Sequence, residues 1–181
     1  DPEGQHHLIA SWRGAALPSP PAPTVHGLVE QHARRTPQAE ALNCDGHSLT
    51  YAELDKRANR LAQHLHDLGV RRESLVGVYV ERSADMVVAL LAVLKAGAAY
   101  VPLDPAFPRD RIEFMMADAA LAALLTQASL APSLDAGDVP VLVLDRDAED
   151  IAAHSTEPLA LPLAAVTAAS HCPVCLAAPW Q

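Results

Sequence analysis

Short apolar runs rich in β-branched residues alternate along this chain with longer stretches of helical periodicity. That alternation predicts a layered α/β fold, a mostly parallel sheet with flanking helices. Three observations carry the prediction. Residues 74–80, SLVGVYV, are short and nearly all apolar, as a strand covered on both faces should be. The next helix, ADMVVALLAVLKA from Ala84 to Ala96, is apolar on almost every side, which predicts burial rather than a surface position. A second apolar run, AAYVPL at 98–103, then predicts another buried strand, with a connection of the length that a right-handed parallel crossover needs.

The other elements follow in chain order. Val25, Leu28, Val29 and Ala33 fall at helical spacing, and Pro37 stops that run. Residues 39–51, AEALNCDGHSLTY, read as a β-hairpin: Ala41 and Leu42 open one strand, Asp45 and Gly46 supply the positive-φ turn, and SLTY returns. Thr50 and Glu53 then form a capping box for a helix whose apolar stripe is Leu54, Ala58, Leu61, Ala62, Leu65 and Leu68, ended by Gly69. Ser83 caps the helix that runs to Gly97. Residues 108–119, PRDRIEFMMADA, predict a helix with Pro108 in its first turn and Ile112, Met115 and Met116 on one side. LAALLT at 121–126 and VPVLVLD at 139–145 predict two more strands.

The segment LKAGAAYVPLDP, residues 94–105, reads as a corner rather than a reactive site. Gly97 terminates the helix, and Ala96, Ala98 and Ala99 let helix and strand backbones approach closely. Pro102 has no amide to donate, so its strand lies at an edge or stops pairing there, and Asp104 with Pro105 sets the following turn. Nothing in it is an obvious nucleophile or base.

Composition narrows the function. Against 22 Asp and Glu stand 13 Lys and Arg, a formal net charge of -9, which argues against a nucleic-acid surface. The longest strongly apolar run, Met86 to Leu94, is too short for a membrane span, and no secretory signal opens the chain. Three cysteines, Cys44, Cys172 and Cys175, are too few for a disulfide framework and fit a reducing compartment, so a cytoplasmic location is expected. His64 and His66, two apart on a helix, point to different faces and share no metal geometry. Residues 1–24 end in LPSPPAPT, which favours an extended linker. The first residue is Asp1, so the chain is read as an interior piece of a longer one.

LTYAEL at 49–54, followed by LKAGAAYVPLDP, closely resembles the first two core motifs of the adenylation domains of nonribosomal peptide synthetases, members of the acyl-adenylate-forming superfamily. FPRDRIEFMMADA at 107–119 resembles the continuation of that pattern, and the likeness runs from about Val25 to about Leu144. Acyl-CoA ligases share a looser second motif, which makes an acyl-CoA ligase fragment the weaker alternative. The front piece through residue 37 resembles the linker that joins a condensation domain to an adenylation domain. The resemblance implies amino-terminal residues 25–163 of an adenylation domain, whose parent reaction activates an amino acid with Mg-ATP and loads it onto a phosphopantetheine carrier. Its implied partners are the upstream condensation domain and the carrier domain.

The family's phosphate loop and catalytic lysine have no counterpart here. No TSGSTGxPKG segment occurs, and the only lysines, Lys56 and Lys95, match neither role. No catalytic, cofactor-binding or metal-binding residue is therefore assigned, and the chain alone is expected to be inactive. A non-catalytic docking module is the competing class. Residues 164–181 diverge where the loop is due. HCPVC at 171–175 would need a second ligand pair to hold zinc. A reading-frame slip is the sharper expectation, because Leu-Ala-Ala-Pro at 176–179 is encodable by bases that read Gly-Ser-Thr in a shifted frame.

Overall fold

The computed structural model describes residues 24–44 and 46–161. The expectations for the 1–24 linker, apart from Thr24, for Asp45 and for the 164–181 tail lie outside them. Strands β1 (Glu40–Cys44) and β2 (His47–Thr50) form an antiparallel hairpin, with Gly46 at φ +81. Strands β3 (Leu75–Tyr79), β4 (Ala99–Pro102), β5 (Ala123–Thr126) and β6 (Val141–Val143) make a separate sheet in the order β4-β3-β5-β6, parallel throughout. Five helices accompany them: α1 (Val25–Arg35), α2 (Tyr51–Asp67), α3 (Ala84–Lys95), α4 (Arg109–Ala119) and α5 (Ala148–Ala152). The layered α/β expectation holds.

Local chemistry explains where the helices start and stop. At α2 the Glu53 amide donates to Thr50 Oγ1 at 3.3 Å and the Thr50 amide donates to Glu53 Oε2 at 2.9 Å, a complete capping box. Both α2 and α3 end in the same glycine-based motif. Gly69 (φ +94) and Gly97 (φ +76) turn the chain, and the residues after them, Val70 and Ala98, donate back to the carbonyls of Leu65 and Val93 at 3.0 and 3.1 Å.

The pleat divides the core in two. Val76 and Val78 of β3 face α2 and α3, in a cluster that also takes Leu61, Leu65, Val93 and Leu125. Tyr79 of β3 points the other way, with Val101, Leu103 and Leu124, against Ile112 and Met116 of α4. At Gly77 an added Cβ would meet Leu121 Cδ1 at 2.7 Å and Leu124 Cδ1 at 2.9 Å, so a side chain there would have to push both leucine ends aside.

Four details correct the sequence reading. Leu68 is 40% exposed, because α2 ends one residue earlier and Val70, fully buried, takes the inward place after the glycine turn. The strand AAYVPL is not buried on both faces: Tyr100 is 41% exposed and Pro102 is exposed too, since β4 is an edge strand and α3 roofs its neighbour. Pro108 caps α4 in an extended conformation, ψ 140, rather than entering its first turn. Helix α5 and a short 3-10 turn at Ala131–Ser133 carry no signal of their own in the sequence pattern. The edge position required by Pro102 is observed, with Ala99 and Leu103 donating to β3-side carbonyls and Pro102 having nothing to donate.

Candidate functional site

In an open parallel sheet, ligands collect at the carboxyl ends of neighbouring strands whose connections leave on opposite faces. The order β4-β3-β5-β6 reverses between β3 and β5, and beside that point the carboxyl ends of β3 and its other neighbour β4 part, β3 leading into α3 on one face and β4 into α4 on the other. A cleft of about 640 Å³ opens there, lined by Glu81 and Arg82 beyond β3 and by Asp104, Pro105 and Phe107 beyond β4. Its floor is apolar, built from Met86, Leu90 and Tyr100.

Asp104 and the Glu81 amide are engaged in shaping the cleft. Asp104 Oδ1 accepts from the Ala106 amide at 2.9 Å and the Asp104 carbonyl accepts from Phe107, also at 2.9 Å, so this aspartate builds its own turn. The Glu81 amide donates to Gln127 Oε1 at 3.0 Å, and the Arg111 guanidinium stacks 4.5 Å from the Phe107 ring centre. A second cleft, of about 310 Å³, is lined by Arg57, Arg60, Asp85, Leu144 and Asp145. There Asp145 Oδ1 accepts from the Ala128 amide at 2.8 Å. Neither cleft presents a nucleophile beside a base.

The strongest electrostatic feature sits at the other end of the sheet. Lys95, at the end of α3, has 2% of its side chain exposed and lies 2.5 Å from Glu30 Oε1 of α1 and 2.9 Å from Asp55 Oδ1 of α2. One ammonium thus ties three helices together. Next to Asp55 the buried Asn59 donates to Asp55 Oδ2 at 3.3 Å and to the Thr156 carbonyl at 2.7 Å. Burial pushes the His26 ring down from its usual value, Glu30 opposes that, and the Lys95 charge adds to it.

His64 and His66 part as their spacing requires. The His64 ring meets the His154 ring edge-on at 4.8 Å, and its pKa is lowered first by burial and then by that neighbour. His66 instead lies 3.8 Å from Asp67. Among the described residues no group of three His, Cys, Asp or Glu side chains is arranged to hold a metal. Sequence reasoning missed the enclosure of Lys95 and Asn59. The available signal was a lone lysine closing an otherwise apolar helix, and an asparagine one turn after an aspartate.

A family model described as AMP-binding enzyme matches residues 29–175. The chain belongs to this family. Its relatives include synthases and synthetases of gramicidin, plipastatin and phosphinothricin tripeptide. A plipastatin synthase protein of Bacillus subtilis (strain 168) is 50% identical over 155 residues, which cover 85% of this chain and 6% of that one. A linear gramicidin synthase protein of Brevibacillus parabrevis is 44% identical over 153 residues, 84% of this chain and 2% of that one. The solved nonribosomal peptide synthetase FmoA3 in its AMPPNP-bound form superposes with a TM-score of 0.76 at 36% identity, over 87% of this chain and 17% of that chain. A four-domain nonribosomal peptide synthetase, holo-AB3403 bound to AMP and glycine, gives 0.61 at 30% identity, over 70% and 10%.

The resemblance drawn from LTYAEL and LKAGAAYVPLDP is therefore correct: this is an amino-terminal region of an AMP-binding domain of the nonribosomal peptide synthetase kind. It spans only 2–6% of the length of those two synthases. The described residues do not fit a nucleotide triphosphate with its magnesium. They hold no Thr/Ser/Gly-rich loop, and of the two lysines Lys56 is exposed on α2 while Lys95 is consumed between two carboxylates.

Proposed function

We propose that this region is the scaffold of a domain that activates an amino acid with ATP in the cytoplasm and passes it to a carrier's phosphopantetheine thiol, with a condensation domain upstream. The reading is carried by the match of residues 29–175 to AMP-binding enzymes together with 50% identity to a plipastatin synthase. Its own part in the chemistry is positional. The buried Lys95 cluster and the two glycine-ended helices hold the sheet so that loops at the strand carboxyl ends have a fixed base.

On this reading the 181-residue chain by itself is expected not to adenylate, because its sequence carries no Thr/Ser/Gly-rich phosphate loop. Amino-acid-dependent exchange of pyrophosphate into ATP tests this, with no exchange above background expected for any of the common amino acids. Exchange by the isolated chain would overturn inactivity. The scaffold role is tested separately by placing residues 25–161 in the corresponding stretch of the plipastatin synthase domain. Exchange with the recipient's own amino-acid preference is expected, and a soluble chimera without exchange would overturn the role.

A further inference from the structure

The smaller cleft, of about 310 Å³ between α2, α3 and α5, gathers charges of both signs over an apolar floor. Arg57, Arg60 and Leu61 fall at i, i+3 and i+4 on α2, so the two guanidinium groups share one wall. Asp85, in the first turn of α3, and Asp145, just past β6, bring carboxylates from the other elements. Val88, Leu144 and Ile151 complete the lining with aliphatic surface. Among the described residues none of these four charged side chains forms an ion pair, although the neighbouring Arg146 and Asp147 do so at 2.8 Å.

The commitments of each group decide what it can still bind. Asp145 Oδ1 accepts from the Ala128 and Arg146 amides at 2.8 and 3.2 Å, which fixes that carboxylate while its Oδ2 accepts from no described group. Arg60 Nε is closed to solvent and donates to nothing among the described residues. A guanidinium N–H in that state costs free energy until an acceptor reaches it, so a ligand oxygen gains most here.

The lining also selects among anions. A pair of guanidinium groups matches either a carboxylate or a phosphate. Asp85 and Asp145 repel a multiply charged phosphate and attract an ammonium, while the aliphatic surface favours an apolar body between the two charges. The volume stands at the low end for small-molecule sites, which suits a compact ligand. We propose that this cleft binds a small zwitterion with an aliphatic body, a free apolar amino acid. Its carboxylate lies on Arg57 and Arg60, and its ammonium faces Asp85 and Asp145.

Saturation-transfer NMR on the full chain, without ATP, tests this with L-leucine, 4-methylpentanoate and 3-methylbutylamine, which share one carbon skeleton and differ in charge. L-Leucine is expected to bind with a Kd of about 1 mM, and each singly charged analogue about tenfold more weakly. Binding of 4-methylpentanoate as tight as that of leucine overturns the proposal, and so does the absence of saturable leucine binding by about 10 mM. Arg57→Gln and Asp85→Asn locate the site, both positions being exposed and so tolerant of the change. Each is expected to weaken leucine about five- to tenfold, while Arg111→Gln, across the sheet on α4, leaves it unchanged. Leucine binding that survives both cleft substitutions lies elsewhere and overturns the assignment. No nucleotide enters the measurement, so its failure is separable from that of the adenylation reading.

Discussion

The two faces of the parallel sheet solve the same problem with different means. On one face α2 and α3 pack side by side, with α1 and α5 beyond them, and the layer encloses an ammonium, two carboxylates and an asparagine. On the other, α4 and the loop around Leu130 and Leu134 cover an apolar cluster, with Tyr79 and Ser133 in polar contact at its margin and Arg111 stacked on Phe107. Burial by α4 asks only that Ile112 and Met116 be apolar and about the right size. The multi-helix face also needs charges at matching positions on elements far apart in sequence, so its tolerance to change should be narrower.

The sharpest test of that difference begins with equal truncations. Leu65→Ala and Ile112→Ala each remove a side chain that is at most 1% exposed, and each is expected to lower stability by about 2–5 kcal/mol in urea unfolding. A single cooperative transition in both variants would show the faces to be one folding unit. Lys95→Met comes next, with an expected loss of about 1–3 kcal/mol, since it leaves Glu30 and Asp55 facing each other with one-fifth of each side chain exposed. Adding Glu30→Gln and Asp55→Asn should restore most of that loss, because the apolar replacement then has no unpaired charge beside it. Failure of the triple variant to recover would mean that the contacts of the ammonium to Glu30 and Asp55 contribute net stability of their own.

Gly77→Ala probes the sheet between the faces. Its methyl must displace the ends of Leu121 and Leu124, flexible groups that yield in part, so about 1–2 kcal/mol is expected from thermal unfolding. The smallest effect is one of pH. His26 and His64, both on the charged face, have their protonated forms disfavoured mainly by burial. The unfolded chain takes up protons near pH 6.5 where the folded chain resists, so stability is full above that pH and falls as pH drops below it. His64→Gln should flatten that decline, while Ile112→Ala, on the other face, should leave its slope unchanged.

Much of this fold was legible because local signals agreed with each other. Thr50 with Glu53 marked a helix start, Gly69 and Gly97 marked two ends, and the apolar runs separated strands from helices. What escaped had no local cause. The exposure of Tyr100 depends on which strand α3 happens to roof, and the inward turn of Lys95 depends on carboxylates 40 and 65 residues away. Helix α5 is five residues long, too short for periodicity to register. The chemistry of the site was legible mainly as motif: the segment LKAGAAYVPLDP could be read as a corner from conformation, but the purpose of its lysine emerges only when α1 and α2 are in place.

The contact from Asn59 to the Thr156 carbonyl joins residues 97 positions apart. During synthesis at roughly 5–20 residues per second, helix α2 exists for about 5–20 s before its partner carbonyl has been made. Through that interval the asparagine amide must be served by water, and α2 cannot settle into the finished interior. The crossing segment 153–161 therefore completes this side of α2 only after β6 has been synthesised.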